Sequence, residues 1–89
     1  MSMPVANCGF AKNITGTTTV CAGACQMLGF YVNNTSSGTI TVSDGPTALS
    51  GTITPAIGWH HFPANCGTSM IITKTGGSID LTAFFANAN

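Results

Sequence analysis

An all-β fold is predicted, a small antiparallel β-sandwich or jelly-roll-like barrel of about six to eight short strands. Three observations predict it. Threonine occurs fourteen times in 89 residues, and its branched β-carbon suits a pleated strand better than a helix. Short apolar runs alternate with Gly, Asn and Pro punctuation at a spacing of about 8–12 residues. No segment sustains a 3.6-residue apolar period with helix caps. A chain of 9.0 kDa allows one small domain.

Taken in order, Lys12 to Val20 reads as the first extended stretch, with Thr15, Thr17 and Thr19 alternating against Gly16, Thr18 and Val20. Met27–Val32 and Thr39–Val42 flank the turn-forming cluster 33–38. Phe30 and Val32 match Ile40 and Val42 in spacing, which predicts an antiparallel hairpin with one apolar face. Ser43-Asp44-Gly45-Pro46 is a turn: Asp caps its own backbone, Gly supplies positive φ and Pro stops the ladder. Thr52–Thr54 is a short strand ended by Pro55, and Gly58–Pro63 an edge segment, since Pro63 cannot donate to a central ladder.

Ser69–Thr75 and Ser78–Phe85 are joined by Gly76-Gly77, a two-residue turn signal. If Thr75 faces Ser78, Ile72 pairs with Leu81 and Met70 with Ala83 on a core face. The other face then carries Ile71, Thr73, Asp80, Thr82 and Phe84, with Ile71 and Phe84 as apolar residues in need of cover, and Lys74 and Asp80 as a loose ion pair beside the turn. Residues 1–26 read as a cysteine-bearing N-terminal arm with the first strand or strands, 27–86 as the sandwich body and 87–89 as a fraying tail.

Only Lys12, Lys74, Asp44 and Asp80 carry full charges, 4% of the chain with a formal net charge of zero. Two lysines cannot displace the counterions that nucleic-acid binding requires, so no nucleic acid is expected as a partner. No apolar run reaches membrane-spanning length, so no membrane partner is expected either. The start lacks the basic and apolar regions of a signal peptide, which predicts synthesis and folding in a cytoplasm. There Cys8, Cys21, Cys25 and Cys66 are expected as reduced, buried thiols rather than bridges.

Chemistry-bearing constellations are weak. Cys21-Ala-Gly-Ala-Cys25, His60-His61 and Cys66 supply zinc-ligand types, but the second ligand pair is missing, and adjacent histidines point to opposite faces of a strand. Cys66, His61 and Asp44 resemble no nucleophile signature. Gly9, Gly16, Gly23 and Gly29 recur near a period of seven without the lysine of a phosphate loop. No catalytic, metal or cofactor residues are therefore expected. Thr39-Ile-Thr41 and Thr52-Ile-Thr54 are T-x-T steps of the kind that order water, although plain strand preference explains them. Trp59, Phe62 and Phe10 read as core or interface anchors.

Three stretches carry a resemblance. They are Phe30-Tyr-Val-Asn-Asn…Gly38-Thr-Ile-Thr-Val-Ser-Asp-Gly-Pro46, Pro63…Gly67-Thr-Ser-Met-Ile-Ile, and Thr75-Gly-Gly-Ser-Ile-Asp-Leu-Thr-Ala-Phe-Phe85. Over residues 27–86 they resemble the small β-sandwich virion proteins of tailed bacteriophages, most closely the capsid decoration (cement) proteins. The resemblance implies a non-enzymatic structural protein, assembled in the host bacterial cytoplasm and bound to the capsid exterior. Its partners would be the major capsid protein and copies of itself, as a dimer or trimer. A surface with so little charge offers little repulsion against such association. Candidate interface residues are Trp59, His60, Phe62, Ile71 and Phe84. The alternative is a tail or fibre module that recognises a host surface glycan through Trp59, Tyr31 and the loops.

Overall fold

The β-branched and aromatic runs form six strands: β1 Phe10–Ile14, β2 Thr18–Ala22, β3 Cys25–Asp44, β4 Thr47–Ala48, β5 Gly58–Cys66 and β6 Ser69–Asn87. The computed structural model describes residues 10–87, so Cys8 and the rest of residues 1–9 of the N-terminal segment 1–26 lie outside the described residues, as do the last two residues of the tail. No helix occurs among the described residues. Every strand pairing is antiparallel, in one continuous sheet.

β3 and β6 dominate it, 20 and 19 residues long, paired from Cys25 opposite Asn87 to Asp44 opposite Met70. At about 3.3 Å per residue a straight 20-residue strand would span roughly 63 Å, whereas the molecule measures 43 Å at its longest. The ends of β3 show where the length goes. Cys25 pairs with Cys66. Asp44, at the far end, accepts the backbone N–H groups of Gly67, Thr68 and Ser69 at 3.0, 2.9 and 3.2 Å. Both ends thus meet one short turn, and the β3–β6 ladder doubles back on itself.

The fold line runs through 33–38 of β3 and 76–78 of β6, where Ser36 and Ser37 both oppose Ser78 and Gly38 opposes Gly76. Ser37 and Gly76 take positive φ, 62° and 73°. A β-carbon at Gly77 would overlap the Ser36 carbonyl oxygen, and one at Gly38 would press on that of Ser78. The two backbones bend together only because side chains are missing there. Lys74 Nζ donates to the carbonyls of Gly76 and Gly77 at 2.9 and 2.7 Å, holding the corner from outside.

Folding gives two layers. One contains β5, the first half of β3, the second half of β6 and β1; the other contains β2, the first half of β6, the second half of β3 and β4. Between them lies a single apolar core that includes Phe30, Val32, Ile40, Val42, Met70, Ile72 and Leu81. The all-β sandwich is therefore present, though two of its strands are long.

Several sequence expectations are corrected. Met27–Val32 does not form a hairpin with Thr39–Val42, nor does Ser69–Thr75 with Ser78–Phe85. Ile72 pairs with Val42, and Leu81 with Val32; Met70 faces Asp44, and Ala83 faces Phe30. The reason is that Gly-Gly and Asn-rich stretches specify a change of direction, not a partner. A bend keeps the same inward residues inward, so Met70, Ile72, Leu81 and Ala83 are all fully buried even though their neighbours differ.

The first extended stretch splits into β1 and β2, which pair with opposite halves of β6. Thr52–Thr54 contributes one bridge, Ile53 to Ile40. Gly45 has the expected positive φ, 55°, but Asp44 caps the distant turn 67–69 rather than its own. Lys74 and Asp80 do not pair: Lys74 takes carbonyls and Asp80 takes amides.

Gly77→Ala is expected to destabilise the fold by roughly 1–3 kcal/mol in urea denaturation, the usual cost of forcing atoms into a filled space. Gly16→Ala, where a β-carbon meets nothing within 4 Å, is expected to leave stability unchanged within error. The Asp44 carboxyl is held below its ordinary range, first by the Gly67 N–H and then by those of Thr68 and Ser69. A group whose folded pKa is depressed stabilises the fold above its unfolded pKa, and that contribution is lost as pH falls through the folded value. Asp44→Ala should therefore lower the thermal midpoint at pH 7. The gap from the parent should narrow as pH falls below the ordinary aspartate value, about 3.9, and close only below the depressed folded value.

Candidate functional site

The outer surface of the first layer carries the unusual chemistry. Strand alternation places Tyr31 of β3 between Trp59 of β5 and Thr82 of β6, with Asn13 of β1 beyond Thr82. In the adjoining row, Gly29 lies between His61 and Phe84. Trp59 and Tyr31 are 45% and 44% exposed, a large apolar commitment on an open sheet face.

Gly29 explains how the indole is held. A β-carbon there would meet the Trp59 ring at 2.8 Å and overlap the His60 carbonyl oxygen. The missing side chain lets the six-membered edge of the indole lie across β3. Phe84, on the next strand, meets the indole edge-on at 5.8 Å, and His61 flanks it at 6.4 Å.

A polar cluster adjoins this platform. Asn13 Nδ2 donates to Asp80 Oδ1 at 2.7 Å and to the Leu81 carbonyl at 3.1 Å. Asn33 Nδ2 donates to Asp80 Oδ1 and to Thr82 Oγ1, both at 3.3 Å. The carboxylate is thereby fixed by amides from two other strands. Beside it opens a shallow cavity of about 220 Å³ lined by Asn34, Ser78, Ile79 and Asp80.

The residues singled out as interface candidates do not share one surface. Trp59 and Phe84 belong to the outer aromatic face. His60 and Phe62 alternate to the inner side: His60 stacks on buried Phe30 at 5.2 Å and its Nε2 donates to the Ala56 carbonyl at 2.7 Å, while Phe62 packs against the core. Ile71 sits in the second layer between Ser43 and Thr19. The fold line separates it from Phe84, so the half-apolar face expected to carry both is not assembled. The two histidines do point to opposite faces, as their adjacency requires.

The exposed aromatics Trp59 and Tyr31 were legible as candidates in the sequence, whereas the polar cluster was not. Asp80, Thr82 and Phe84 were legible as one face from alternation. Asn13 and Asn33 were not, because they arrive through long-range pairing and a bulge.

The cysteines gather at the seam where the layers close. Cys21, Cys25 and Cys66 are buried, and Cys25 and Cys66 carry thiols rather than disulfides. Burial, then the neighbouring Cys21 and Cys66, push the Cys25 thiol up to about 12, and burial also raises Cys66. These groups stay protonated at neutral pH, unlike the thiolate that nucleophilic or metal chemistry uses. Among the described residues, no three His, Cys, Asp or Glu side chains converge as a metal site needs. No known protein family, curated protein or solved structure matches this chain.

Cys25 and Cys66 are expected to resist a thiol-specific reagent at pH 8 in the folded protein and to react at once in denaturant. Peptide mapping of the labelled sites makes the measurement.

Proposed function

We propose that this chain is a non-enzymatic structural protein of a bacteriophage virion, bound in many copies to the outside of the head, where it stabilises the capsid lattice. The observation that carries the reading is the state of its exterior. Three of the four ionic side chains are spent on internal bonds: Asp44 on the 67–69 turn, Lys74 on the corner and Asp80 on the asparagines. Meanwhile Phe10, Leu28, Tyr31, Leu49, Ile57 and Trp59 stand exposed. A domain with that surface is suited to permanent contacts.

The contacts with the major capsid protein and with further copies of the chain, as a dimer or trimer, are assigned to Phe10, Leu28, Leu49 and Ile57. These are the exposed large apolar side chains other than Trp59 and Tyr31. The mechanism is mechanical. Each copy bridges neighbouring capsomers, and many modest interfaces act together because they are tethered to one lattice. Binding to the closed shell but not to a burst one lowers the free energy of the closed shell. The protonated thiols and the Asp44 carboxylate, bonded through both oxygens to the 67–69 turn, favour this reading over catalysis.

Adding the purified chain to undecorated heads should raise the temperature of DNA release and load hundreds of copies per particle. Ile57→Asp should weaken that binding at least about tenfold, roughly 1.4 kcal/mol. Heads that bind none of the chain and release DNA at an unchanged temperature would contradict the proposal.

A further inference from the structure

We infer that the outer face of the first layer is a binding site for a short, uncharged oligosaccharide, with one pyranose ring stacked on Trp59, the next over Tyr31, and hydroxyl groups bonded to Thr82, Asn33 and Asp80. This does not depend on the capsid reading, because the side chains that would bind the sugar are not those assigned to lattice contacts.

The geometry has three parts. The first is the platform. The Trp59 indole lies across the sheet because Gly29 leaves room beneath it, and Phe84 supports it edge-on at 5.8 Å. Its ring is fixed before anything binds, so little ordering cost remains. A pyranose presents one face of C–H groups that packs on an aromatic face. Its hydroxyls project around the rim and need polar partners.

The second part supplies those partners. The Thr82 hydroxyl accepts from Asn33 at 3.3 Å and keeps its own proton to donate. Asp80 receives both asparagine amides on Oδ1 and lines the shallow cavity beside the strip, where its carboxylate is a charge-strengthened acceptor. Trp59, Tyr31, Thr82 and Asn13 occupy four adjacent strands. At about 4.8 Å per strand that row spans roughly 14 Å, the length of roughly two or three linked pyranose rings. The shallow cavity beside Asp80 flanks the track on the side of the fold line.

The third part is charge. The polar cluster contains a carboxylate and no cation: Lys74 is held at the corner carbonyls, and Lys12, beside Asn13 on β1, falls in the row of Ala83 that alternates to the opposite face. A carboxylate repels an anionic sugar and leaves it unpaired. The site therefore selects neutral sugars over sialylated ones. A second copy of the chain would instead leave Asp80 facing its own image, which disfavours the strip as a self-association surface.

Trp59 is the one tryptophan of the chain, so its fluorescence reports the site directly. The full chain, without heads, would be titrated with maltotriose, cellotriose and chitotriose, and with sialyllactose as the anionic comparator. At least one neutral trisaccharide should give a saturable emission change below about 10 mM, as a Kd near 1 mM requires, and sialyllactose should bind at least about tenfold more weakly. Asp80→Asn and Tyr31→Ala retain the reporter and should each weaken binding about tenfold, about 1.4 kcal/mol. Trp59→Ala, followed by calorimetry, should abolish it. The inference is overturned if no neutral trisaccharide changes the emission, if sialyllactose binds as well, or if sedimentation shows the strip buried between two copies of the chain.

Discussion

Everything in this molecule depends on two long strands bending together and being held shut. β3 and β6 are too long for a domain of this size, and the corner at Ser36–Gly38 and Gly76–Ser78 turns one ladder into two facing layers. Three backbone N–H groups converging on Asp44 fasten the far end of β3 to the turn that follows Cys66. Without that closure, Val42, Met70 and Ile72 would face water instead of Phe30, Val32 and Leu81. Nearly all of the core joins residues distant in sequence, so the closure is also the step at which most of the apolar burial is realised.

The corner decides which side chains meet on the surface. Because the ladder runs through it, Tyr31 lies beside Thr82, and Asn33 reaches Asp80. Had the two glycines made a hairpin, Ile71 and Phe84 would share one face and the aromatic strip would lack its polar neighbours. The two surfaces instead differ in character. The first layer bears aromatics and a fixed carboxylate; the second bears Thr39, Thr41, Thr73 and Ile71. A small uncharged sandwich thus acquires two sides with different chemistry from a single fold line.

Much of this was legible from the residues, and the part that was not has a physical cause. Period-two alternation assigned Met70, Ile72, Leu81 and Ala83 to the core and Asp80, Thr82 and Phe84 to the outside, and those assignments hold because parity survives any even change of partner. Gly76-Gly77 and the Asn33–Gly38 cluster marked where the chain turns. Which strand each arm then joins is set by long-range packing, to which a local turn signal is blind. Asp44 shows the same limit: its type suits a turn, yet the turn it caps lies more than twenty residues away. Trp59 stood out by type as a core or interface anchor, but its position on the sheet rests on the absent side chain at Gly29, which no spacing reveals.

The most direct test of the doubled-back ladder is the set of cross-strand backbone proton contacts in solution by nuclear Overhauser spectroscopy. The account predicts contacts of Val42 with Ile72 and of Val32 with Leu81. Contacts of Ile72 with Leu81 and of Met70 with Ala83 would mean that the glycines close a hairpin, and would contradict both the architecture and the surface built on it.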